Sequence, residues 1–278
     1  MCGRFTQRYT WSEVHEFLNV FGTPKNLRPR YNIAPTTPVD VVRLEAEGRR
    51  ELVSMRWGMV PYWWSKPLKQ LPATFNARAE GIETKPMFRD PFKRRRCIIP
   101  ASGFYEWTGG NGDKIPHLFT AANGSPILAF AGLWDRWRDP AGEEVLSCTI
   151  IVSGASAWMA PYHDRMPVLL GESDIAGWLD GSLGGETLRP AAESTLREWI
   201  VDRRVNRTSE GTTTRRSSSR WRRWGEGRSD PHRLCTAPSA EALGSPCGWP
   251  APVAKRVCIS DLYIAYTSGP NVSPPGIP

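Results

Sequence analysis

The sequence offers little with which to bind a metal, cross a bilayer or direct export. Its four histidines are scattered, and its six cysteines (Cys2, Cys97, Cys148, Cys235, Cys247 and Cys258) show no C-x-x-C spacing, so no metal site is expected. No apolar run approaches the ~18 residues of a membrane span, and the N-terminus lacks the apolar stretch of a secretory leader. These absences predict no membrane association, no cofactor and a reducing, cytoplasmic setting with free thiols. Acidic residues are also short: 28 Asp+Glu against 36 Lys+Arg, a formal charge of +8. Nine basic and four acidic residues lie from 211 onward, which places +5 there and only +3 on residues 1–210. An anionic partner must therefore meet a local basic groove, not a global field.

What is present argues for a folded core. The chain has 278 residues, 40% of them hydrophobic, with 13 Trp, and that composition belongs to globular proteins. "TWSEVHEFLNVFG" predicts a first helix, with Thr10 and Glu13 as a capping box, Trp11, Val14, Leu18 and Phe21 on one face, and Gly22 ending it. "PVDVVRL" and "LVSMRWGMV", separated by "EAEGRR", predict a hairpin in which Val53, Met55, Trp57 and Met59 share a face. "CIIPASGFYEW" begins as a buried strand. "PHLFT" and "PILAFAGLW" flank the turn signal Asn123-Gly124 and read as a second hairpin. "VLSCTIIV" and "PVLL" add strands, and "SDIAGWLDG" a brief helix capped by Ser or Asp. Trp57, Trp63 and Trp64 read as core, and the "KRRR" run at 93–96 mainly as a solvated face. The pattern predicts one α+β domain on a strongly curved, mostly antiparallel, barrel-like sheet with flanking short helices, ending near residue 206. Residues 207–278, rich in Arg, Ser, Gly and Pro, read as a disordered basic tail.

One residue stands out chemically. Removal of Met1 would make Cys2 the first residue, with an α-amine and a thiol on the same carbon framework. Reactive and anion-binding side chains cluster in "MCGRF", "FNARAE" (75–80), "SGFYEW" (102–107) and "PYHDRMPVLL" (161–170). With "RYNIAPT" (30–36) and "RWGMVPYW" (56–63), these segments resemble, in order, the motifs of the SOS response-associated peptidase (SRAP) family over roughly residues 2–206. The resemblance implies a sensor that covalently captures abasic sites in single-stranded DNA, cytoplasmic or nucleoid-associated in a bacterium, and monomeric. It implies catalytic roles for Cys2, Asn76, Glu106 and His163 and DNA contacts by Arg4, Arg78, Arg165 and Trp107. Strand incision by β-elimination is a second implied outcome. The usual close of the family's domain, an acidic Asp/Pro stretch and a final apolar segment, is not found after "RRVNRTSEG".

The residue chemistry fits that role. A free α-amine titrates near 7.7–8.0 and adds to the aldehyde of a ring-opened abasic site; the neighbouring thiol then closes a thiazolidine ring. Both nucleophiles on one residue make the second step intramolecular, with effective molarities on the order of 10⁵ M or more. Glu106, between aromatics, suits proton transfer. Arg suits phosphate, and Trp107 suits base stacking. Three other readings stand beside this one: a thiol peptidase with Cys2 as nucleophile and His163 or Glu106 as base, an N-terminal-nucleophile glutamine amidotransferase matching only through Gly3, and a single-strand binding module in which Cys2 is incidental.

Overall fold

The computed structural model describes residues 2–110 and 113–208; the expected tail therefore lies almost wholly outside the described residues. Among the described residues twelve strands and three α-helices follow in order: β1 (Phe5–Gln7), α1 (Trp11–Leu18), β2 (Arg30–Ile33), β3 (Pro38–Leu44), β4 (Arg50–Trp57), β5 (Asn76–Arg78), α2 (Arg89–Arg94), β6 (Arg96–Ala101), β7 (Gly103–Thr108), β8 (Ile115–Ala121), β9 (Leu128–Arg138), β10 (Glu144–Gly154), β11 (Arg165–Pro167), α3 (Ile175–Asp180) and β12 (Leu196–Ile200). β3, β4, β10, β9 and β6 pair in a closed ring, antiparallel except where β4 meets β10. Five other strands form a separate antiparallel sheet ordered β12-β8-β7-β1-β2. The α+β, barrel-like architecture expected from the strand pattern is the one observed.

Period-2 alternation sorts the barrel side chains into two cores. Cys97, Ile99 and Ala101 of β6 and Cys148, Ile150 and Val152 of β10 join Phe5, Trp57, Phe104 and Phe119 in the first core, shared with the open sheet. The alternate residues Ile98 and Ile151 join Val14 and Leu18 of α1 and Ile175 and Trp178 of α3 in the second. Both faces of these strands are thus covered, which is why they read as continuous apolar runs. Burying each large side chain stabilises the fold by about 1.5–3 kcal/mol. Edge-to-face contact between Phe5 and Trp57, with centroids 4.8 Å apart, ties β1 to the barrel.

Local signals are honoured where tertiary packing agrees with them. The Thr10/Glu13 capping box forms, an arrangement worth about 1 kcal/mol. α1 nevertheless stops at Leu18, because Asn19 takes the left-handed conformation (φ 48°). Phe21 consequently leaves the helix face and is exposed, and Gly22 is not the cap. Met59 lies past the end of β4 and packs in the second core, not beside Met55 and Trp57. Trp63 is exposed, contrary to its assignment to the core. α3 starts without a side-chain cap.

The Asn123-Gly124 turn forms, with Gly124 at φ 81°, but it joins no hairpin. β8 pairs with β7 and β12, while β9 pairs with β6 and β10. Pro126 follows the turn and lacks the N–H needed to continue a ladder, so the chain crosses to the barrel instead. In the "KRRR" run, Arg96 is buried between the rings of Phe92 and Trp178, with its guanidinium carbon 4.3 and 4.6 Å from their centroids. It donates to the carbonyls of Phe92 and Leu183. A guanidinium with two aromatic faces and two carbonyl partners is stable out of water, a possibility that a charge run conceals.

Candidate active site

β10 sets the frame. Beyond its ring partners its far half carries β5 on one edge and β11 on the other. Asn76 lies opposite Ile150, Arg78 opposite Val152 and Arg165 opposite Gly154. Three of the eight site residues expected from the sequence are thereby placed by one strand.

Cys2, just ahead of β1, is fully buried in the first core. The side-chain amide of Asn76 donates to the Cys2 carbonyl at 2.9 Å, fixing the backbone that carries the thiol. Burial pushes the Cys2 thiol far above its ordinary value, and the Glu106 carboxylate adds to the rise; the amino-terminal charge and the Arg4 backbone N–H oppose it. Such a thiol is protonated at neutral pH.

Glu106 sits on β7 two residues after Phe104, on the face that packs against Cys2. Only 3% exposed, its carboxyl is pushed up to about 7 by burial, with the Asp164 carboxylate reinforcing the shift and the amino-terminal charge opposing it. A carboxyl held there exchanges protons in both directions near neutrality. His163, in the loop before β11, has its imidazole pulled down by burial and by the amino-terminal and Arg165 charges, against the pull of Asp164. Its Nδ1 lies 3.0 Å from the Arg165 backbone N–H and 2.6 Å from Asp164 Oδ1. The first contact needs Nδ1 bare and the second needs it protonated, so the ring's proton position is bound to the Asp164 contact.

The four expected DNA contacts divide. Arg78 is exposed at the end of β5. Arg165 pairs with Glu80 at 2.6 Å. Arg4, by contrast, is half-buried and donates to Asn32 Oδ1 at 2.5 Å and to the Val205 carbonyl at 3.0 Å. Trp107 follows Glu106 and so projects from the opposite face of β7, into a cluster with Tyr105, Leu118 and Val205. Its indole N–H donates to Asn206 Oδ1 at 2.7 Å, and Arg4 lies over its ring. Residues 201–207 thus form a strap across Arg4, Asn32 and Trp107. Neither β12 nor this strap was anticipated, because the segment carries no strong period.

Sequence reasoning also missed His117, Tyr162, Asp164 and Glu198. Of these, His117 had a usable signal. The glycine-rich stretch "GGNGD" is a reversal signal between β7 and β8, and Glu106 and His117 pair across it. Among the described residues no group of three or more His, Cys, Asp or Glu could hold a metal ion, and no helix is long and apolar enough to cross a membrane.

Comparison with known proteins converges on one family. The model of the family "SOS response associated peptidase (SRAP)" matches residues 1–208. "Abasic site processing protein YoqW" of Bacillus subtilis is 38% identical over 183 residues, covering 65% of this chain and 80% of its own length. "Abasic site processing protein HMCES" of Xenopus tropicalis is 33% identical over 187 residues, covering 57% and 56% of the two chains. A crystal structure of a Bordetella bronchiseptica protein superposes with a TM-score of 0.62 at 27% identity, over 72% of this chain and all of that one.

Proposed function

Since the chain belongs to the SOS response-associated peptidase family, and its named relatives process abasic sites, we propose that it captures abasic sites in single-stranded DNA as a covalent thiazolidine on Cys2. The observation that carries this reading is the convergence of Cys2, Asn76 and Glu106 in one buried corner.

Once Met1 is removed, the α-amine of Cys2 adds to the C1′ aldehyde of the ring-opened sugar and gives a carbinolamine. Glu106 in its protonated form donates to the carbinolamine hydroxyl, which leaves as water, and the C=N bond of an imine forms. The Cys2 thiol then adds to that carbon; its proton passes to the imine nitrogen, with Glu106, now ionised, as the nearest carrier. The new bonds are C–N and C–S, and one water is lost overall. Asn76 holds the carbonyl of Cys2 so that both nucleophiles approach one carbon. His163 is the second proton carrier, placed for the reverse reaction and for β-elimination. Arg78 and Arg165 take the flanking phosphates. Arg4 and Trp107 act through the strap that seats the N-terminal segment.

The thiol-peptidase reading needs Cys2 as a thiolate from the start, and burial works against that form. Amine-first chemistry asks less of the thiol, which reacts only after the carbon is tethered beside it. Intact mass spectrometry of the protein with an abasic oligonucleotide tests the proposal. The expected species is protein lacking Met1 plus oligonucleotide minus one water; an unchanged protein mass overturns it.

A further inference from the structure

His117 reads in the sequence as an ordinary strand residue, yet it occupies a built position. It is 7% exposed on β8 and is the direct cross-strand partner of Glu106. Phe104 and Phe119, the next pair along the same face, stack with centroids 5.1 Å apart in the core that holds Cys2. His117 therefore shares the face of Glu106. Its Nδ1 contacts Glu198 Oε1 of β12 at 2.5 Å, and its Nε2 contacts Thr108 Oγ1 of β7 at 2.7 Å. Both ring nitrogens are thus engaged, and three strands are tied through one side chain. The ring then meets the Tyr162 ring edge-to-face at 4.9 Å, and Tyr162 also packs on Phe119 at 5.0 Å. Tyr162 immediately precedes His163, which feels the amino-terminal charge, and Asp164, whose carboxylate raises Glu106.

We propose that His117, locked by Glu198 and Thr108, is a positioning residue for the capture reaction: it supports Tyr162 and so sets where His163 and Asp164 stand over Glu106. The inference rests on the abasic-site reading above. The groups facing His117 are Glu106 from β7, Glu198 from β12 and Tyr162 from the loop; the charges acting on Glu106 are the amino terminus and Asp164, and Glu106 in turn acts on Cys2. If the support is removed, Asp164 withdraws and Glu106 loses one of the two influences that raise it.

The test is the rate of adduct formation on an abasic oligonucleotide, followed against pH, for wild type and the variants His117→Ala, Glu198→Ala and Glu198→Gln. His117→Ala and Glu198→Ala should be slowed roughly 10–100-fold, as expected when a reacting group is misplaced by about 1 Å. Their pH midpoint should move to lower pH. Glu198→Gln retains an oxygen that accepts from Nδ1 and should restore the wild-type rate and midpoint. Fluorescence binding of an undamaged single strand should be unchanged in all of them. Variants that lose thermal stability while keeping the wild-type pH midpoint would overturn the inference, since His117 would then be only a packing element. Wild-type rates throughout would overturn it too. Absence of an adduct in wild type would instead defeat the underlying reading.

Discussion

The barrel interior and the N-terminal corner both hold fully buried cysteines. All three lie in the first core, Cys97 and Cys148 on barrel strands and Cys2 just ahead of β1, and burial pushes all three thiols up. The settings differ in their neighbours. Cys97 has Cys148 and Arg43 as its charged or titratable influences, and Cys148 has Arg56. Of the three, only Cys2 has a carboxyl poised near neutrality and a carbonyl held by a side-chain amide. Burial therefore does not distinguish a reactive cysteine from an inert one here. On the proposed mechanism the adjacent carboxyl does, and it is there because the open sheet brings β7 against β1.

The strongest way to break this contrast is to exchange the cysteines' fates. Cys2→Ala should abolish the adduct that survives heating without reductant, while borohydride still traps an imine on its α-amine. Cys97→Ala and Cys148→Ala should retain the durable adduct and lose about 1–2 kcal/mol of stability through the small cavities they leave. Intact mass and thermal melts read both outcomes. A heat-stable, reductant-independent adduct from Cys2→Ala would show that the two regions do not differ in the way argued.

Next in size is the proton carrier. Glu106→Gln should slow adduct formation roughly 10²–10⁴-fold and remove the pH limb centred near neutrality. The same group carries a stability cost of definite sign. Its folded pKa of about 7 exceeds the ordinary 4.5, so the folded state holds the proton more tightly than the unfolded state. Stability falls as pH rises between those values, by roughly 3 kcal/mol in all, and the penalty is complete above the upper one. Glu106→Gln should therefore melt higher than wild type at pH 8 and no higher at pH 4. Equal melting at both pH values would mean that Glu106 is not desolvated as described.

Much of this corner was legible because it depends on side-chain chemistry at fixed motif positions. Cys2, Asn76, Glu106 and His163 each carry an unusual capacity, and their segments follow a recognisable order. Strand identity was also legible in β3 and β4, which alternate, and in β9 and β10, whose long apolar runs follow from two covered faces. Pairing was not. Asn123-Gly124 forms its turn, but which strands then pair depends on the barrel closing around β9. Arg96 was misread, and the contacts of His117 went unseen, for a related reason. A buried cation or imidazole is explained by partners such as Trp178 or Glu198, 82 and 81 positions away, and no local window contains them. The packing of Trp107 against Val205 and Asn206 was not legible either, because alternation along β7 cannot be phased until Phe104 is known to point inward.

The smallest effect separates arginines as the first separates cysteines. Arg78 is exposed, whereas Arg4 is held by Asn32 and Val205. Removing one cation from a phosphate of a bound single strand lowers the log–log salt slope by about 0.7. Arg78→Ala should therefore lower it by that amount with little change in melting temperature. Arg165 also faces the Glu80 carboxylate, which already balances its charge, so Arg165→Ala should lower the slope by less. Arg4→Ala should leave the slope nearly unchanged. It would instead cost about 1–3 kcal/mol, the penalty of removing a charged donor and leaving the Asn32 amide oxygen without it. Salt titrations of undamaged single-strand binding, paired with melts, measure both quantities on the same samples. If Arg4→Ala alone lowered the slope while stability held, the strap would be open in solution, and the guanidinium that it covers would belong to the DNA-binding surface.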